Sequence, residues 1–165
     1  MKNLLIMRHG KSDWSNGSIS DFDRPLNERG EKASIIMGRE ISHLDVVPDI
    51  ILSSPALRAK STAKLVAQTI KYSEEIIYIE DFYFGFRDSI IKNIQNLPNN
   101  INRVLIIGHN PTWENLVSAL ITDKMSVTMP TGTLVSLNSD IGSWVEFGMK
   151  TCKFDWILCP KDLEQ

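Results

Sequence analysis

Two of the three histidines lie at the predicted carboxyl ends of buried strands, where a polar side chain usually has a functional role. His9 comes soon after the apolar run 4–7, His109 soon after the apolar run 104–107, and each is next to a glycine. Glycine lets backbone and ligand approach closely, and a neutral imidazole acts as a nucleophile or proton carrier near pH 7. Both are therefore candidates for chemistry, whereas His43, near the end of a predicted amphipathic helix, is interpreted as structural.

Two arginines are expected beside these histidines. Arg8 directly precedes His9, and Arg58 lies near the start of the helix predicted after the second strand. The planar guanidinium matches phosphate oxygens with two parallel hydrogen bonds, whereas metal sites favour carboxylates or thiolates. If only one of these arginines were considered, it would be interpreted as a salt-bridge partner on the protein surface. With the two histidines, they indicate a site for a phosphoryl group, and we expect no metal and no other cofactor.

The hydropathy pattern predicts alternating strands and helices that would position these residues. Predicted strands cover residues 4–7, 49–53, 76–79 and 104–107, with further β-rich pieces at 133–137, 144–147 and 151–158. Predicted helices begin at an Asn27 cap, at Pro55 (extending to residue 70), at about residue 86 (to about 97) and near Pro111. Right-handed crossovers then give a three-layer α/β/α sandwich with a mainly parallel sheet and an antiparallel strand late in the chain. Ligands in such folds bind at the carboxyl ends of the strands, where His9 is expected to project from an exposed strand end.

Length and composition limit the classes of protein. The chain has 165 residues with 42% hydrophobic and 23% charged residues, which indicates a single globular domain over 1–165. A net charge of -2 offers no overall attraction to nucleic acid or to an anionic membrane. No apolar segment reaches membrane-spanning length, and we expect a cytoplasmic protein.

Three segments, in order, resemble the motifs of the histidine phosphatase superfamily. They are Arg-His-Gly at 8–10, Ser-Ser-Pro-Ala-Leu-Arg at 53–58 and Gly-His-Asn at 108–110. The short chain and segments 23–30, 108–111 and 130–132 are further similar to the SixA-type phosphohistidine phosphatases. The resemblance covers nearly the whole chain and implies a phosphoglycerate mutase-like fold.

The resemblance also implies a role for each matching residue. His9 would be phosphorylated transiently, while Arg8, Arg58 and His109 would hold the phosphoryl oxygens. Arg24, in the segment Asp-Arg-Pro-Leu, has two interpretations that the sequence leaves open: a further phosphate ligand, or a salt-bridge partner at a helix start. The implied activity is a metal-independent phosphatase with a phosphohistidine enzyme intermediate.

One part of the pattern of the larger relatives is missing. Phosphoglycerate mutases and fructose bisphosphatases carry a glutamate general acid in a longer insertion after the second helix. Here Glu80, Asp81 and Asp13 are conceivable proton donors, but no motif marks any of them. Lys11 and Ser12 also differ from the larger relatives, and the sequence assigns them no role.

Three functions remain in competition at this point. The leading one is hydrolysis of phosphohistidine in a protein, such as a phosphorelay histidine domain. The second is hydrolysis of a small phosphoester, and the third is phosphate recognition without turnover. Retention of both His9 and His109 argues against the third, because arginines alone would suffice for binding.

Overall fold

The computed structural model describes residues 1–164 as a six-stranded sheet with helices on both faces. The strands are β1 (Lys2–Arg8), β2 (Ile50–Ser53), β3 (Ile77–Tyr78), β4 (Arg103–Gly108), β5 (Leu134–Ser139) and β6 (Lys153–Leu158). The helices are α1 (Glu28–His43), α2 (Leu57–Thr69), α3 (Asp81–Phe84), α4 (Arg87–Gln95), α5 (Thr112–Leu120) and α6 (Pro160–Leu163).

The sheet is mixed but mainly parallel. Its strand order is β3-β2-β4-β1-β5-β6. The first four of these strands pair in parallel, and β5 pairs antiparallel with both β1 and β6. Among these six strands β5 alone is reversed, so the predicted α/β fold class with a late antiparallel strand is confirmed.

Alternate residues of β1 face two different apolar layers, as the pleat of a strand requires. Leu4 and Ile6 pack in a cluster with the apolar faces of α4 and α5. Leu5 and Met7 pack in a second cluster with α1 and α2. Because both faces of the sheet are covered, its strands can be apolar throughout, and the polar residues that follow them stand out in the sequence.

Two local predictions were wrong. Pro55 does not open the second helix, because α2 begins at Leu57 after the extended residue Ala56. Residues 144–147 do not form a strand but a short 3-10 turn, Trp144–Glu146. Ser143 and the Glu146 side chain cap each other's backbone there, and the buried Trp144 indole donates to the carbonyl of Ile101 over 2.8 Å.

The predicted cap of the first helix is confirmed. The Asn27 side chain accepts a hydrogen bond from Gly30 N over 2.9 Å, which satisfies one of the free amides at the helix start. None of the helices within residues 1–164 combines the length and apolar character that a bilayer crossing requires.

Candidate active site

A cavity of about 370 Å³ lies at the end of β1 and β4, and all five residues singled out in the sequence line it. They are Arg8, His9, Arg24, Arg58 and His109. Arg8 ends β1, Arg58 lies in the first turn of α2, and His109 directly follows β4. The topology thus brings together residues up to 101 positions apart in the chain.

The hydrogen bonds of His9 determine its tautomer. Its Nδ1 lies 2.6 Å from the carbonyl oxygen of Gly10, and a carbonyl only accepts, so Nδ1 carries the proton. Nε of Arg58 donates to Nε2 of His9 over 3.3 Å. Both contacts select the same form, in which Nε2 carries the lone pair.

His9 is buried rather than exposed at the strand end, with 6% of its surface accessible. The expectation of an exposed site was wrong, because the surrounding loops and side chains cover the end of β1. Burial, reinforced by the charges of Arg58, Arg8 and Arg24, lowers the pKa of His9 from 6.5 to about 4, although the bond to Gly10 opposes the shift. His9 is therefore neutral near pH 7.

The loop that carries His9 is clamped between two helices. Gly10 N donates to Thr62 Oγ1 over 3.0 Å, and the same hydroxyl donates to the carbonyl of Arg58 over 2.7 Å. On the other side, a Cβ on Gly10 would lie 2.6 Å from the carbonyl oxygen of Gly30 at the start of α1. Glycine is required at position 10 by this close backbone approach, which fixes His9 relative to Arg58.

All three nitrogens of the Arg58 guanidinium have hydrogen-bond partners within the protein. Besides the Nε contact to His9, Nη1 donates to the carbonyl of Asp21 over 2.6 Å and Nη2 to Oδ2 of Asp21 over 3.1 Å. Arg58 is itself buried, with 6% of its surface accessible. These contacts and the burial hold the side chain in one orientation.

Asp21 is a member of the site that the sequence analysis missed. Its Oδ1 pairs with Arg24 over 2.9 Å, and its Oδ2 accepts from the Tyr83 hydroxyl over 2.7 Å. The Tyr83 hydrogen bond, with help from Arg58, lowers the pKa of Asp21 below its usual value, so this carboxyl stays ionised. The sequence shows that Asp21 lies three residues before Arg24, a spacing that could have suggested an ion pair. Its contact with Arg58, 37 positions away, is a tertiary contact that the sequence does not show.

Arg24 lies at the cavity and also forms a salt bridge, so it has features of both interpretations that the sequence offers. It lines the cavity, and its salt bridge is with Asp21 in the preceding loop rather than at a helix start. Its guanidinium also stacks on Trp14, with Cζ 3.5 Å from the ring centroid. A contact between Arg24 and phosphate stays a prediction.

His109 faces His9, with ring centroids 5.1 Å apart. Its Nε2 lies 2.7 Å from Ser54 Oγ. Burial, the neighbouring His9 and the charge of Arg58 lower the pKa of His109 from 6.5 to about 3, which makes this ring neutral as well. Two neutral imidazoles thus stand together among positive guanidinium groups.

Three residues of the cavity carry a buried nitrogen without a hydrogen-bond partner in residues 1–164. These atoms are Arg8 Nε, Arg24 Nε and His109 Nδ1. Buried polar atoms in folded proteins are nearly always paired, and exceptions are often found where a ligand binds. An anion in the cavity is the partner that suits both guanidinium groups.

None of the three carboxylates considered as proton donors lines the cavity. Asp13 accepts from the Ser15 backbone amide over 2.8 Å, Asp81 accepts from Asn93 over 2.8 Å, and Glu80 immediately precedes α3. Lys11 and Ser12, which had no role, do line it. In the described part of the chain, no group of three or more His, Cys, Asp or Glu side chains is arranged to hold a metal ion.

Comparison with known proteins identifies relatives for nearly the whole chain. The family profile "Histidine phosphatase superfamily (branch 1)" matches residues 4–82. An uncharacterized chloroplastic protein of Arabidopsis thaliana is 30% identical over 154 residues, which span 88% of this chain and 70% of that protein. The phosphohistidine phosphatase SixA of Escherichia coli K12 is 28% identical over 163 residues, 98% of this chain and 96% of that protein.

The fold is also similar to solved structures. The protein histidine phosphatase SixA complexed with tungstate superimposes with a TM-score of 0.86 at 26% identity, covering 98% of this chain and 99% of that one.

Proposed function

The chain belongs to the histidine phosphatase superfamily, and from that premise we propose that it removes phosphoryl groups from histidine side chains of proteins, without a metal, through a phosphohistidine intermediate on His9. The observation that carries this proposal is the state of His9. Its ring is neutral near pH 7, its proton is on the Gly10 side, and the Nε2 lone pair lies beside Arg58. This is the form that can attack phosphorus.

In the first half of the reaction, the Nε2 lone pair of His9 forms a bond to phosphorus while the bond to the leaving group breaks. The leaving atom takes the electron pair of that bond. Nδ1 keeps its proton, and its hydrogen bond to Gly10 stabilises the positive charge that the ring gains. Arg58 Nε must release Nε2 at this stage and becomes available to a phosphoryl oxygen.

The negative oxygens of the transferred group are stabilised by donors that are already in place. Arg8 Nε and Arg24 Nε are buried without a partner in residues 1–164. His109 adds a third donor when Ser54 donates to its Nε2, because its proton then lies on the unpartnered Nδ1. Fixed donors of this kind lower the barrier because they need no reorganisation during the transfer.

In the second half, water attacks phosphorus and the bond to His9 breaks. The electron pair returns to Nε2, which restores the neutral ring, and the proton lost by the water leaves with phosphate or to solvent. Because the pKa of His9 is about 4, the neutral ring is a weak base and therefore a good leaving group, which favours this step.

The proposed substrate class is supported by the scarcity of acids in the cavity, where Glu164 is the one lining carboxylate within residues 1–164 and no candidate proton donor from the sequence is present. An alkyl phosphoester leaves as an alkoxide that needs a positioned acid, whereas phosphohistidine leaves as a neutral imidazole and needs little assistance. Asp21 is held ionised, and none of Asp13, Glu80 and Asp81 lines the cavity. These features support phosphohistidine over small phosphoesters.

The test compares one protein phosphorylated on histidine with phosphoserine peptides and with a small phosphoester. We expect the largest kcat/KM for phosphohistidine and acid-labile phosphate on His9 after rapid quench. The variant His9→Gln should trap no phosphate and show no turnover, and His43→Gln is the matched control. Acid-stable product on the enzyme, or an active His9→Gln variant, would overturn the covalent route; a larger kcat/KM for the phosphoester would overturn the substrate class.

A further inference from the structure

A second group of cations lines the same cavity, away from the contacts described so far. Its members are Lys11, Arg29 and Lys161, which we call the outer cations. Their side chains form no ion pair or hydrogen bond with any other residue of the described chain. By contrast, Arg24 and Arg58 both form ion pairs with the single carboxylate of Asp21.

The fold brings the outer cations together at the start of α1. The carbonyl of Lys11 accepts from Asn27 N, the cap of that helix, over 2.9 Å. Arg29 is the second residue of α1. Lys161 lies in α6, whose first residue Pro160 packs beside Gly132, where a Cβ would be 2.8 Å from Pro160 Cγ.

Gly132 links this region to the nucleophile. Its backbone N–H donates to the carbonyl of His9 over 2.9 Å, and a Cβ there would lie 3.4 Å from Cβ of Ala33 in α1. The outer cations are therefore on the α1 and α6 side of the cavity, while Arg58 and His109 reach His9 from α2 and the end of β4.

The cavity has more positive charge and a larger volume than one phosphoryl group needs. Six lysine or arginine residues line the cavity, and Glu164 is the one carboxylate among the lining residues in the described part of the chain; the six are Arg8, Lys11, Arg24, Arg29, Arg58 and Lys161. A phosphoryl group carries about two negative charges. The cavity of about 370 Å³ is in the size range of sites that bury a whole ligand rather than one small ion.

We propose that the outer cations bind a second anionic group of the substrate, namely carboxylates of Asp or Glu residues that flank the phosphohistidine of the partner protein. The proposal rests on the proposed function and adds a specificity to the same site. The outer cations are exposed, so each contributes modestly, and their main effects are on encounter and on KM rather than on the chemical step.

The experiment uses two chemically phosphorylated histidine peptides of equal length. In one, Asp and Glu flank the phosphohistidine, and in the other Asn and Gln replace them. We expect the full-length protein to prefer the acidic peptide by roughly tenfold in kcat/KM, mostly through KM, with a preference that declines as salt is added. The triple variant Lys11→Gln, Arg29→Gln and Lys161→Gln should bring the ratio of the two constants close to one.

Lys92→Gln is the matched control, because Lys92 is an exposed lysine of α4 that does not line the cavity. It should leave the ratio unchanged. Equal hydrolysis of both peptides by the unmodified protein, or a ratio that the triple variant and salt do not change, would overturn the second anion site and leave the phosphohistidine proposal standing. Hydrolysis of neither peptide would instead refute the proposed function on which the inference depends.

Discussion

Nε of Arg58 lies 3.3 Å from Nε2 of His9, so one guanidinium directly contacts the atom that we propose as the nucleophile. The contact is possible because the ring proton is on Nδ1, bound to Gly10. It also disfavours protonation of Nε2, since a second positive charge there would face the guanidinium. Burial, together with the charge of Arg58, thus keeps His9 neutral, and in the proposed reaction Arg58 then helps to bind the phosphoryl group.

Replacing Arg58 by lysine should greatly reduce turnover. A single ammonium cannot make the three contacts that Nε, Nη1 and Nη2 make to His9 and Asp21, nor can it bind two phosphoryl oxygens in parallel. We expect kcat/KM for phosphohistidine to fall by roughly 10²–10³. Arg39→Lys, on the exposed face of α1, is the control, and near-normal activity of Arg58→Lys would contradict this role.

Replacing Asp21 by asparagine should impair the site through the two arginines it holds. Asparagine keeps the shape but loses the charge that pairs with Arg24 and Arg58 over 2.9 and 3.1 Å. Because the Asp21 side chain is 54% exposed, we expect a modest loss, about 3- to 10-fold in kcat/KM. The neighbouring substitution Asp23→Asn is the control and should leave kcat/KM unchanged. An Asp21→Asn enzyme as active as the wild type would show that the two arginines do not need the carboxylate.

The activity should persist to unusually low pH. The pKa of His9 is lowered to about 4, so the imidazole that we propose as the nucleophile stays unprotonated well below pH 6.5. The acid limb of the kcat/KM profile on an aryl phosphate should therefore lie near pH 4. A limb near pH 6.5 would show that His9 titrates as an ordinary histidine.

Stability should depend on pH through the same residue. The pKa of His9 is about 4 in the folded chain and about 6.5 when unfolded. Between these values the unfolded chain binds more protons, so the free energy of unfolding falls as the pH is lowered from 6.5 towards 4. His109, with its pKa lowered to about 3, acts in the same direction. Thermal melts at pH 7 and pH 5 should show a smaller difference for His9→Gln than for the wild type.

Excess chelator should leave phosphohistidine hydrolysis unchanged. We expect the guanidinium groups of Arg8, Arg24 and Arg58, which line the cavity, to supply the positive charge that magnesium supplies in many phosphoryl-transfer sites. The assay compares rates before and after EDTA, with and without added magnesium or manganese. Activity that EDTA removes and either metal restores would refute a metal-independent site.

Leaving-group preference should reveal whether a hidden proton donor exists. We expect phosphohistidine to exceed aryl phosphates, and aryl phosphates to exceed alkyl phosphates, because a positioned acid is worth roughly 10²–10⁴ in rate and alkyl phosphates need it most. The amides Asp13→Asn, Glu80→Gln and Asp81→Asn should cost little, since none of these residues lines the cavity. Efficient alkyl phosphate hydrolysis that one of these amides abolishes would identify the acid and favour a small-molecule phosphatase.

The sequence by itself determined the sheet and the edge at which the site lies. Apolar runs around 4–7 and 104–107 are unbroken because β1 and β4 are covered on both faces, so the polar residues that follow them mark the strand ends. His9 and His109 were found for this reason. Arg58 was placed at the same edge by the strand and helix pattern around it.

Only the tertiary structure decided the surroundings of those residues. Asp21 contacts Arg58 from a distant loop, His9 is buried, and Lys11 and Lys161 line one cavity although they are 150 positions apart. Hydropathy periodicity reports which face of an element is buried, but it does not report which loop covers a strand end. Such contacts, and the pKa values they produce, depend on how loops and helices pack around the sheet, and no local pattern encodes that packing.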